Sequence, residues 1–157
     1  IAGLQTYLPD LMLLLAPHVN SYRRFVKGSQ APIHLQWGYD NRTAGLRVPQ
    51  SGPAARRVEQ RVAGADANPY LAIAASLAAG LAGVDDALAP TVAVDGSAYD
   101  HAHDLPRSFD SAHERFVRSA AAPRLLGAPF VQAYGAVKAL EHDSFMREAI
   151  LLVPFST

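Results

Sequence analysis

Arginine residues crowd the segment between residues 42 and 61, although the whole chain has a formal charge of zero. In an extended strand Arg57, Glu59 and Arg61 project from one face, with neighbours about 7 Å apart. Like charges at that spacing repel, so converging guanidinium groups need acidic partners or a bound anion. The local sequence does not supply the partners. It therefore predicts two short strands that aim positive charge at an anion, with a cation beside it.

The charge of the chain is unevenly distributed. Residues 20–61 hold seven arginines and Lys27 against Asp40 and Glu59. The remainder from Val62 onward is acidic, with eleven acids against six bases. The planar guanidinium fork suits phosphate and carboxylate groups. A nucleic-acid site usually adds aromatic platforms or a long lysine stripe, and neither is present, so we expect small anionic ligands and no nucleic acid.

Length and composition favour one domain with a substantial core. The chain has 157 residues, of which half are hydrophobic. The absence of cysteine excludes disulfides, thiolate metal sites and a thiol nucleophile, and fits a cytoplasmic protein. The longest apolar run, residues 11–17, is too short for a membrane span, and no secretory signal is visible.

Strand signals lie in the first half of the chain. Ile33, Leu35 and Trp37 alternate with polar residues, and residues 44–48 and 57–62 have the pattern of two further strands. Turn-forming residues at 49–53 join the last two. Three neighbouring strands predict an antiparallel sheet, with strands and active-site arginines at about 20–62.

Helix signals dominate the second half, and one helix is also expected at residues 7–16. Asn68 followed by Pro69 is a typical helix start. Residues 85–107 are expected to form a long surface loop. Ser111 and Glu114 suggest a capping box for a helix to about residue 121, and residues 128–151 suggest a longer helix, which an interruption near residue 142 would divide. The fold class is therefore α+β, with a helical region at about 67–157. The predicted apolar stripe of the helix after Pro69 consists of Tyr70, Ile73, Leu77, Leu81 and Val84.

Four ordered sequence blocks resemble the C-terminal part of the catalytic domain of the glutamine synthetase superfamily. The blocks are Asn20-Ser21-Tyr22-Arg23-Arg24; Ala31-Pro32; Asn41-Arg42-Thr43-Ala44 with Arg47-Val48-Pro49; and Arg56-Arg57-Val58-Glu59-Gln60-Arg61 running into Ala67-Asn68-Pro69-Tyr70-Leu71. The match is close over residues 1–84 and loose beyond. Trp37-Gly38-Tyr39-Asp40 and Ala63-Gly64-Ala65-Asp66 look more like the γ-glutamylpolyamine synthetase branch than like the ammonia-using enzyme.

The resemblance implies a role for each site residue. Arg24 and Arg61 match positions that hold glutamate and its activated carboxyl group. Arg42, Arg47 and Arg57 match positions that contact ATP phosphates or the transferring phosphoryl group, and we assign Arg42 both a catalytic and a substrate-binding role. Glu59 matches a carboxylate ligand of Mg²⁺ or Mn²⁺.

The reaction implied is an ATP-dependent glutamate–amine or glutamate–ammonia ligation through a γ-glutamyl phosphate. Two positions depart from the family pattern. The flap glutamate that helps deprotonate ammonium is Gln30 here, which puts ammonia in doubt as the acceptor. A lysine near the nucleotide falls on Ala54. His101 and His103 lack a third metal ligand and receive no role.

The resemblance also predicts what this chain lacks. The family's N-terminal β-grasp domain, its other carboxylate ligands and a histidine lie upstream of the matched part. We therefore expect that the chain alone does not catalyse ligation, and that the full protein forms a homo-oligomeric ring with sites shared between subunits. The alternative is a non-catalytic binding or assembly module, a pseudoenzyme that retains the anion-binding arginines.

Overall fold

A buried helical segment at the N-terminus organises the fold. The computed structural model describes residues 1–29, 31–101 and 104–151. The segment consists of α1 (Ala2–Tyr7), a 3-10 turn (Leu8–Leu11) and α2 (Met12–Leu15). It starts earlier than the predicted residue 7, and Pro9 lies at the start of the 3-10 turn, where its missing N–H costs nothing. Leu8 and every residue from Leu11 to Ala16 are at most 1% exposed, so this segment is the centre of the core.

The sheet has three short strands in the order β1-β2-β3. They are β1 (Trp37–Tyr39), β2 (Leu46–Val48) and β3 (Glu59–Gln60). β2 and β3 are antiparallel, as predicted, whereas β1 and β2 are parallel, so the prediction of a wholly antiparallel sheet was wrong. Asp40 turns the chain with a positive φ of 45°, and residues 41–45 return it to the start of β1 before β2 begins. The α+β class is confirmed by the small mixed sheet and its helices.

Helix α3 (Pro69–Asp85) packs on the N-terminal segment through its smallest side chains. Asn68 caps it by accepting hydrogen bonds from the backbone N–H groups of Tyr70 and Leu71, as the sequence predicts. Ala75, Ala79, Ala82 and Gly83 are buried. The five residues of the predicted stripe are between 59% and 82% exposed, so the stripe does not face the core. A Cβ at Gly83 would lie 2.4 Å from the Cα of Gly3, which shows that close backbone approach selects the small face.

Three helices complete the C-terminal half. They are α4 (Phe109–Arg118), α5 (Ala121–Leu126) and α6 (Ala128–Leu151). The α4 cap is Ser108, whose side chain accepts from Ser111 N, and not Ser111 itself. α6 runs without interruption past residue 142. Within residues 1–29, 31–101 and 104–151, no helix combines the length and apolarity that a bilayer span requires.

A network of polar groups joins three helical elements at one end of the molecule. Both guanidinium N–H₂ groups of Arg124 on α5 donate to the carboxylate of Asp86, at 3.0 and 2.8 Å. The Tyr7 hydroxyl of α1 donates to the same carboxylate. These bonds lower the pKa of Asp86 to about 2, the Arg124 bond being the largest cause. The network therefore ties α1, the end of α3 and α5 together.

Candidate active site

Three of the predicted arginines and the predicted metal ligand line one open cleft of about 520 Å³. Arg42 comes from the loop before β2, Arg47 from β2, and Glu59 and Arg61 from β3 and the residue after it. The remaining lining residues are Gly28, Thr43 and Tyr99. Four residues that are scattered over twenty positions of sequence thus converge. Of the alternating set Arg57, Glu59 and Arg61, Arg57 is not among the lining residues.

Strand register brings Arg47 and Glu59 together. The two residues are direct partners across the antiparallel β2–β3 pair. Directly opposite side chains lie on the same face of a sheet, and here Arg47 Nη1 donates to Glu59 Oε2 at 2.8 Å. The pairing lowers the pKa of Glu59 and raises that of Arg47, chiefly through this hydrogen bond. Glu59 is therefore held as a carboxylate on the wall of the cleft.

The loop carrying Arg42 is fixed by its neighbours. The Asn41 Oδ1 accepts from the backbone N–H and the hydroxyl of Thr43, at 3.0 and 2.6 Å. Arg61 Nη1 donates to the carbonyls of Arg42 and Ala44, the latter at 2.9 Å. Desolvation is the main cause of the lowered pKa of Arg61. Arg61 thus fastens the loop as well as lining the cleft, while the side chain of Arg42 is exposed to solvent.

Asp40 is the acidic partner that the sequence reasoning missed. Arg47 Nη2 donates to Asp40 Oδ1 at 2.8 Å, so one guanidinium bridges two carboxylates. The expectation that local acids do not partner the arginines was therefore wrong for Arg47. Asp40 lies at the end of β1, and because β1 runs parallel to β2, its side chain reaches the arginine on the neighbouring strand. The predicted antiparallel pairing of these strands gave no reason to expect the contact between Asp40 and Arg47.

Arg57 lies at the edge of the cleft without lining it. Its Nη2 donates to Glu59 Oε1 at 3.3 Å, and its side chain is 54% exposed. The short β3 covers only Glu59–Gln60, so Arg57 precedes the strand. Both oxygens of Glu59 consequently carry a guanidinium group, one from each side. The predicted phosphate role of Arg57 stays a prediction.

Arg24 lies apart from the other predicted site residues. Its Nη2 donates to the carbonyl of Val62, and its guanidinium stacks over the ring of Phe25 at 4.6 Å. Desolvation lowers its pKa, and Asp66 opposes that effect. These contacts are those of a residue that joins the 3-10 turn at residues 19–24 to the chain after β3. The structure does not bring Arg24 to the cleft with Arg42, and its glutamate-binding role stays a prediction.

The cleft offers a divalent cation one well-placed ligand. Glu59 is a hard oxygen donor on the wall of the cleft, and Mg²⁺ is commonly held by one or two carboxylates together with substrate phosphates. Among the described residues, no group of three or more His, Asp or Glu side chains could hold a metal ion. The donor set therefore fits a cation that is shared with phosphate, and not a cation caged by this chain alone.

The loop after α3 forms part of the site, which the sequence reasoning did not predict. Asn41 Nδ2 donates to the carbonyls of Val94 and Gly96, at 3.3 and 2.8 Å. The backbone N–H of Ala98 donates to Thr43 Oγ1 at 2.7 Å, and its carbonyl accepts from the ring of buried His34. We call residues 91–101 the strap, since they lie across β1 and the Arg42 loop.

Tyr99 is the strap residue that enters the cleft. Its ring lines the cleft beside Arg61, and its hydroxyl donates to the carbonyl of Ala31 at 3.0 Å. Ala31 and Pro32 form the second family block, next to the expected flap. The sequence around Tyr99 could not predict the hydrogen bond to Ala31, because the two residues are almost seventy positions apart.

Two expectations lie outside the described residues, since they concern Gln30 and His103. Ala54 lies in an exposed 3-10 turn, Pro53–Ala55. His101 has its ring 6.0 Å from that of His34 in an edge-on arrangement.

The fold and this cleft define an α+β protein with an arginine-lined cleft that holds one carboxylate, and comparison with known proteins gives the family. The family described as glutamine synthetase, catalytic domain, matches residues 1–150, so the chain belongs to this family. The resemblance drawn from the four sequence blocks is thereby confirmed.

Similar proteins include several glutamate ligases. The chain is 43% identical over 150 residues to γ-glutamylputrescine synthetase PuuA of Escherichia coli (strain K12), covering 94% of this chain and 31% of that protein. It is 42% identical over 147 residues to γ-glutamylethanolamide synthetase GlnA4 of Streptomyces coelicolor (strain ATCC BAA-471 / A3(2) / M145), covering 92% and 31%. A solved complex of GmaS with ADP superposes with a TM-score of 0.80 and 30% identity, over 93% of this chain and 35% of that one. The chain thus spans about a third of the length of these relatives.

Proposed function

We propose that this chain is the arginine-bearing part of an ATP-dependent ligase that joins the γ-carboxyl group of glutamate to an amine. One observation carries the proposal: Arg42, Arg47 and Arg61 line a single cleft with Glu59. Three guanidinium groups around one carboxylate suit a ligand with several negative charges, such as a polyphosphate bound with a cation. Membership of the glutamine synthetase catalytic family supports the assignment of that ligand as ATP.

The proposed reaction has two steps. A γ-carboxylate oxygen of glutamate attacks the γ-phosphorus of ATP, the bond to the ADP oxygen breaks, and γ-glutamyl phosphate forms. The amine nitrogen then attacks the acyl carbon, phosphate leaves, and the nitrogen loses a proton. The arginines neutralise the charge on the phosphoryl oxygens and orient the phosphoryl group. Arg42 is suited to this role because its side chain is exposed to solvent. A bound Mg²⁺ or Mn²⁺, held partly by Glu59, would add Lewis-acid polarisation of the phosphate.

An organic amine is the proposed acceptor in preference to ammonia. Gln30 replaces the glutamate that helps to deprotonate ammonium in the ammonia-using enzymes, and a neutral amide cannot accept that proton. The names of three relatives support an amine: γ-glutamylputrescine synthetase, γ-glutamylethanolamide synthetase and glutamate–isopropylamine ligase. We place the reaction in the cytoplasm, where ATP is available and where a chain without cysteine needs no disulfides.

A homo-oligomer is proposed for the full protein. The outer face of α3 carries Tyr70, Ile73, Leu77, Leu81 and Val84, all more than half exposed. Solvent contact with a row of large apolar side chains is unfavourable, so such a face is suited to contact with another protein surface. In the family, subunits of a ring share their sites. The exposed apolar face of α3 therefore supports the proposal that this face is buried in such an assembly.

Nucleotide binding tests the proposal directly. We expect MgATP to bind the chain in isothermal titration calorimetry. Arg42→Ala should weaken binding by roughly ten- to a hundredfold, since a hydrogen bond to a charged group is worth about 1.5–3 kcal/mol. Arg118→Ala is the matched control, because Arg118 is an exposed arginine on α4 that pairs only with Glu114 in the described structure. Equal MgATP affinity for all three proteins would refute the phosphate role of Arg42.

The alternative is a non-catalytic module that binds the same anions. Ala54 and Gln30 favour it, since both replace side chains that the active family uses. A γ-glutamyl transfer assay with glutamate, ATP and putrescine separates the two functions when applied to the chain extended by the family's upstream half. Turnover supports the ligase. For the 157-residue chain alone we expect none, and measurable turnover would overturn that expectation.

A further inference from the structure

Asn41, the residue before Arg42, uses the whole of its side-chain amide in hydrogen bonds. Its Oδ1 accepts from the backbone N–H and the hydroxyl of Thr43, at 3.0 and 2.6 Å. Its Nδ2 donates to the carbonyls of Val94 and Gly96, at 3.3 and 2.8 Å. An amide group can donate two hydrogen bonds and accept two, so this amide has no capacity left for a ligand. Asn41 is also not among the described residues that line the cleft.

The bond from the backbone N–H of Thr43 to Asn41 Oδ1 encloses Arg42 in a tight turn. A side-chain oxygen that accepts from the backbone N–H two residues later forms an Asx-turn, which mimics a backbone turn. Arg42 is the central residue of this turn, and its own carbonyl accepts from Arg61 Nη1. The backbone of Arg42 is therefore held on both sides, whereas its side chain is exposed and lines the cleft.

The strap determines which way the amide of Asn41 points. Two carbonyl oxygens of the strap, from Val94 and Gly96, face the amide, and only its N–H₂ group can donate to them. The amide oxygen is consequently presented to Thr43. The strap can approach because Gly38 has no side chain: a Cβ there would lie 2.7 Å from the carbonyl oxygen of Val94 and 2.9 Å from the Cβ of Asn41. The position of the strap is therefore linked to the turn through one side chain.

We propose that Asn41 is a positioning residue that couples the strap to Arg42: it holds the backbone of Arg42 in the conformation that presents the arginine side chain to the cleft. The inference rests on the proposed function, because it takes Arg42 as a residue that binds phosphate groups. A loop without this turn places Arg42 correctly for only part of the time, and the apparent affinity for nucleotide falls by that fraction. The effect of Asn41 on nucleotide binding therefore passes through Arg42.

Titration of the chain with MgATP tests the coupling without catalytic turnover. Isothermal titration calorimetry compares the wild type, Asn41→Ala, Arg42→Ala and the double variant. Asn41→Ala should weaken binding about three- to tenfold, less than Arg42→Ala does, because the arginine still reaches the phosphates for part of the time. In the Arg42→Ala background most of the effect of Asn41→Ala should disappear, since no guanidinium group remains there to be positioned.

Amide exchange in the strap is a second measurement, and it needs no ligand. The backbone N–H of Ala98 donates to Thr43 Oγ1, so its exchange rate, measured by NMR, reports how firmly the strap is attached to the turn. Asn41→Ala removes the bonds from the amide to the strap and should speed this exchange about two- to tenfold, which corresponds to the net free energy of one hydrogen bond. Arg42→Ala should leave the rate unchanged, because the side chain of Arg42 is exposed. An unchanged rate in Asn41→Ala overturns the coupling.

The titration separates failure of the inference from failure of the proposed function. An equal loss of MgATP affinity from Asn41→Ala with and without Arg42 overturns the inference, because Asn41 would then act by general distortion of the cleft. Wild-type affinity in Asn41→Ala, together with a loss in Arg42→Ala, overturns the inference and leaves the proposed function standing. Unchanged affinity in Arg42→Ala refutes the phosphate role of Arg42 and the inference with it.

A matched control and a second variant keep the experiment decisive. Asn20→Ala removes an exposed asparagine that does not line the cleft, and it should change neither the MgATP affinity nor the exchange rate of Ala98. Far-UV circular dichroism checks that each variant folds. If Asn41→Ala does not fold, Asn41→Ser replaces it: the hydroxyl can still accept from the backbone N–H of Thr43, although more weakly, and the N–H₂ group that binds the strap is lost. The same outcomes then support or overturn the inference.

Discussion

The contact between α1 and α3 permits a sharp prediction from two glycines of the same helix. A Cβ at Gly83 would lie 2.4 Å from the Cα of Gly3, and ordinary van der Waals contacts begin at 3.4 Å. The helices must therefore separate by about 1 Å if Gly83 becomes alanine. A Cβ at Gly80, one turn earlier in α3, would have no heavy atom within 4 Å. The two sites share a helix and differ in their surroundings.

The expected effects have opposite signs. Alanine in a helix interior is favoured over glycine by about 0.8–1 kcal/mol, so Gly80→Ala should stabilise the chain by up to that amount. Gly83→Ala has the same intrinsic gain, but overpacking costs about 1–3 kcal/mol, and backbone-to-backbone contact puts this site at the upper end. A net loss of about 2 kcal/mol is expected. At 2–4 °C per kcal/mol, the Tm falls by about 4–8 °C.

Urea unfolding monitored by far-UV circular dichroism measures both variants against the wild type. Gly3→Ala provides a third case on the other helix, since its Cβ would lie 2.0 Å from the carbonyl oxygen of Ala79. It should be destabilised at least as much as Gly83→Ala. The reasoning is refuted if Gly83→Ala is as stable as Gly80→Ala, because the close approach of the helices would then not constrain residue size.

Three further predictions concern stability. The pKa of Asp86 is lowered from 3.8 to about 2, so its carboxylate stabilises the fold above about pH 4 and loses that effect as the pH falls towards 2. The difference in unfolding free energy between wild type and Asp86→Asn should therefore shrink over that window in acid–urea titrations; a constant difference would contradict it. Asn68→Ala removes the α3 cap and should cost about 1 kcal/mol in urea unfolding, with Asn20→Ala as an exposed, non-cap control. Phe116→Ala removes a fully buried ring and should cost about 3–5 kcal/mol by the same measurement; a loss below 1 kcal/mol would place Phe116 outside the core.

Local sequence patterns predicted the structural features that depend on residues close together in the sequence. The Asn68-Pro69 start of α3 and the helix at Ala128–Leu151 were read from capping and periodicity, and the structure has both. The convergence of Arg42, Arg47 and Arg61 was expected from the interpretation of the segment as two neighbouring strands that aim charge at one place, although alternation grouped Arg61 with Arg57, which does not line the cleft.

Features set by distant contacts were not predictable in the same way. Periodicity marked the large side chains of α3 as one apolar stripe, but it did not identify the face that packs on α1. The two helices approach so closely that only alanine and glycine fit between them. The parallel pairing of β1 with β2 depends on a six-residue return that begins at Asp40 with positive φ, and aspartate gives only a weak signal for that conformation. Because the parallel pairing was not predicted, the hydrogen bond between Asp40 and Arg47 was not predicted either.

The strap makes the site wall a composite of two distant stretches of sequence. Its bonds end on His34, Asn41 and Thr43, so its path is specified as much by those anchors as by its own residues. Transplanting residues 91–101 from a relative moves the loop without the residues that hold it. A productive chimera therefore exchanges both stretches at once.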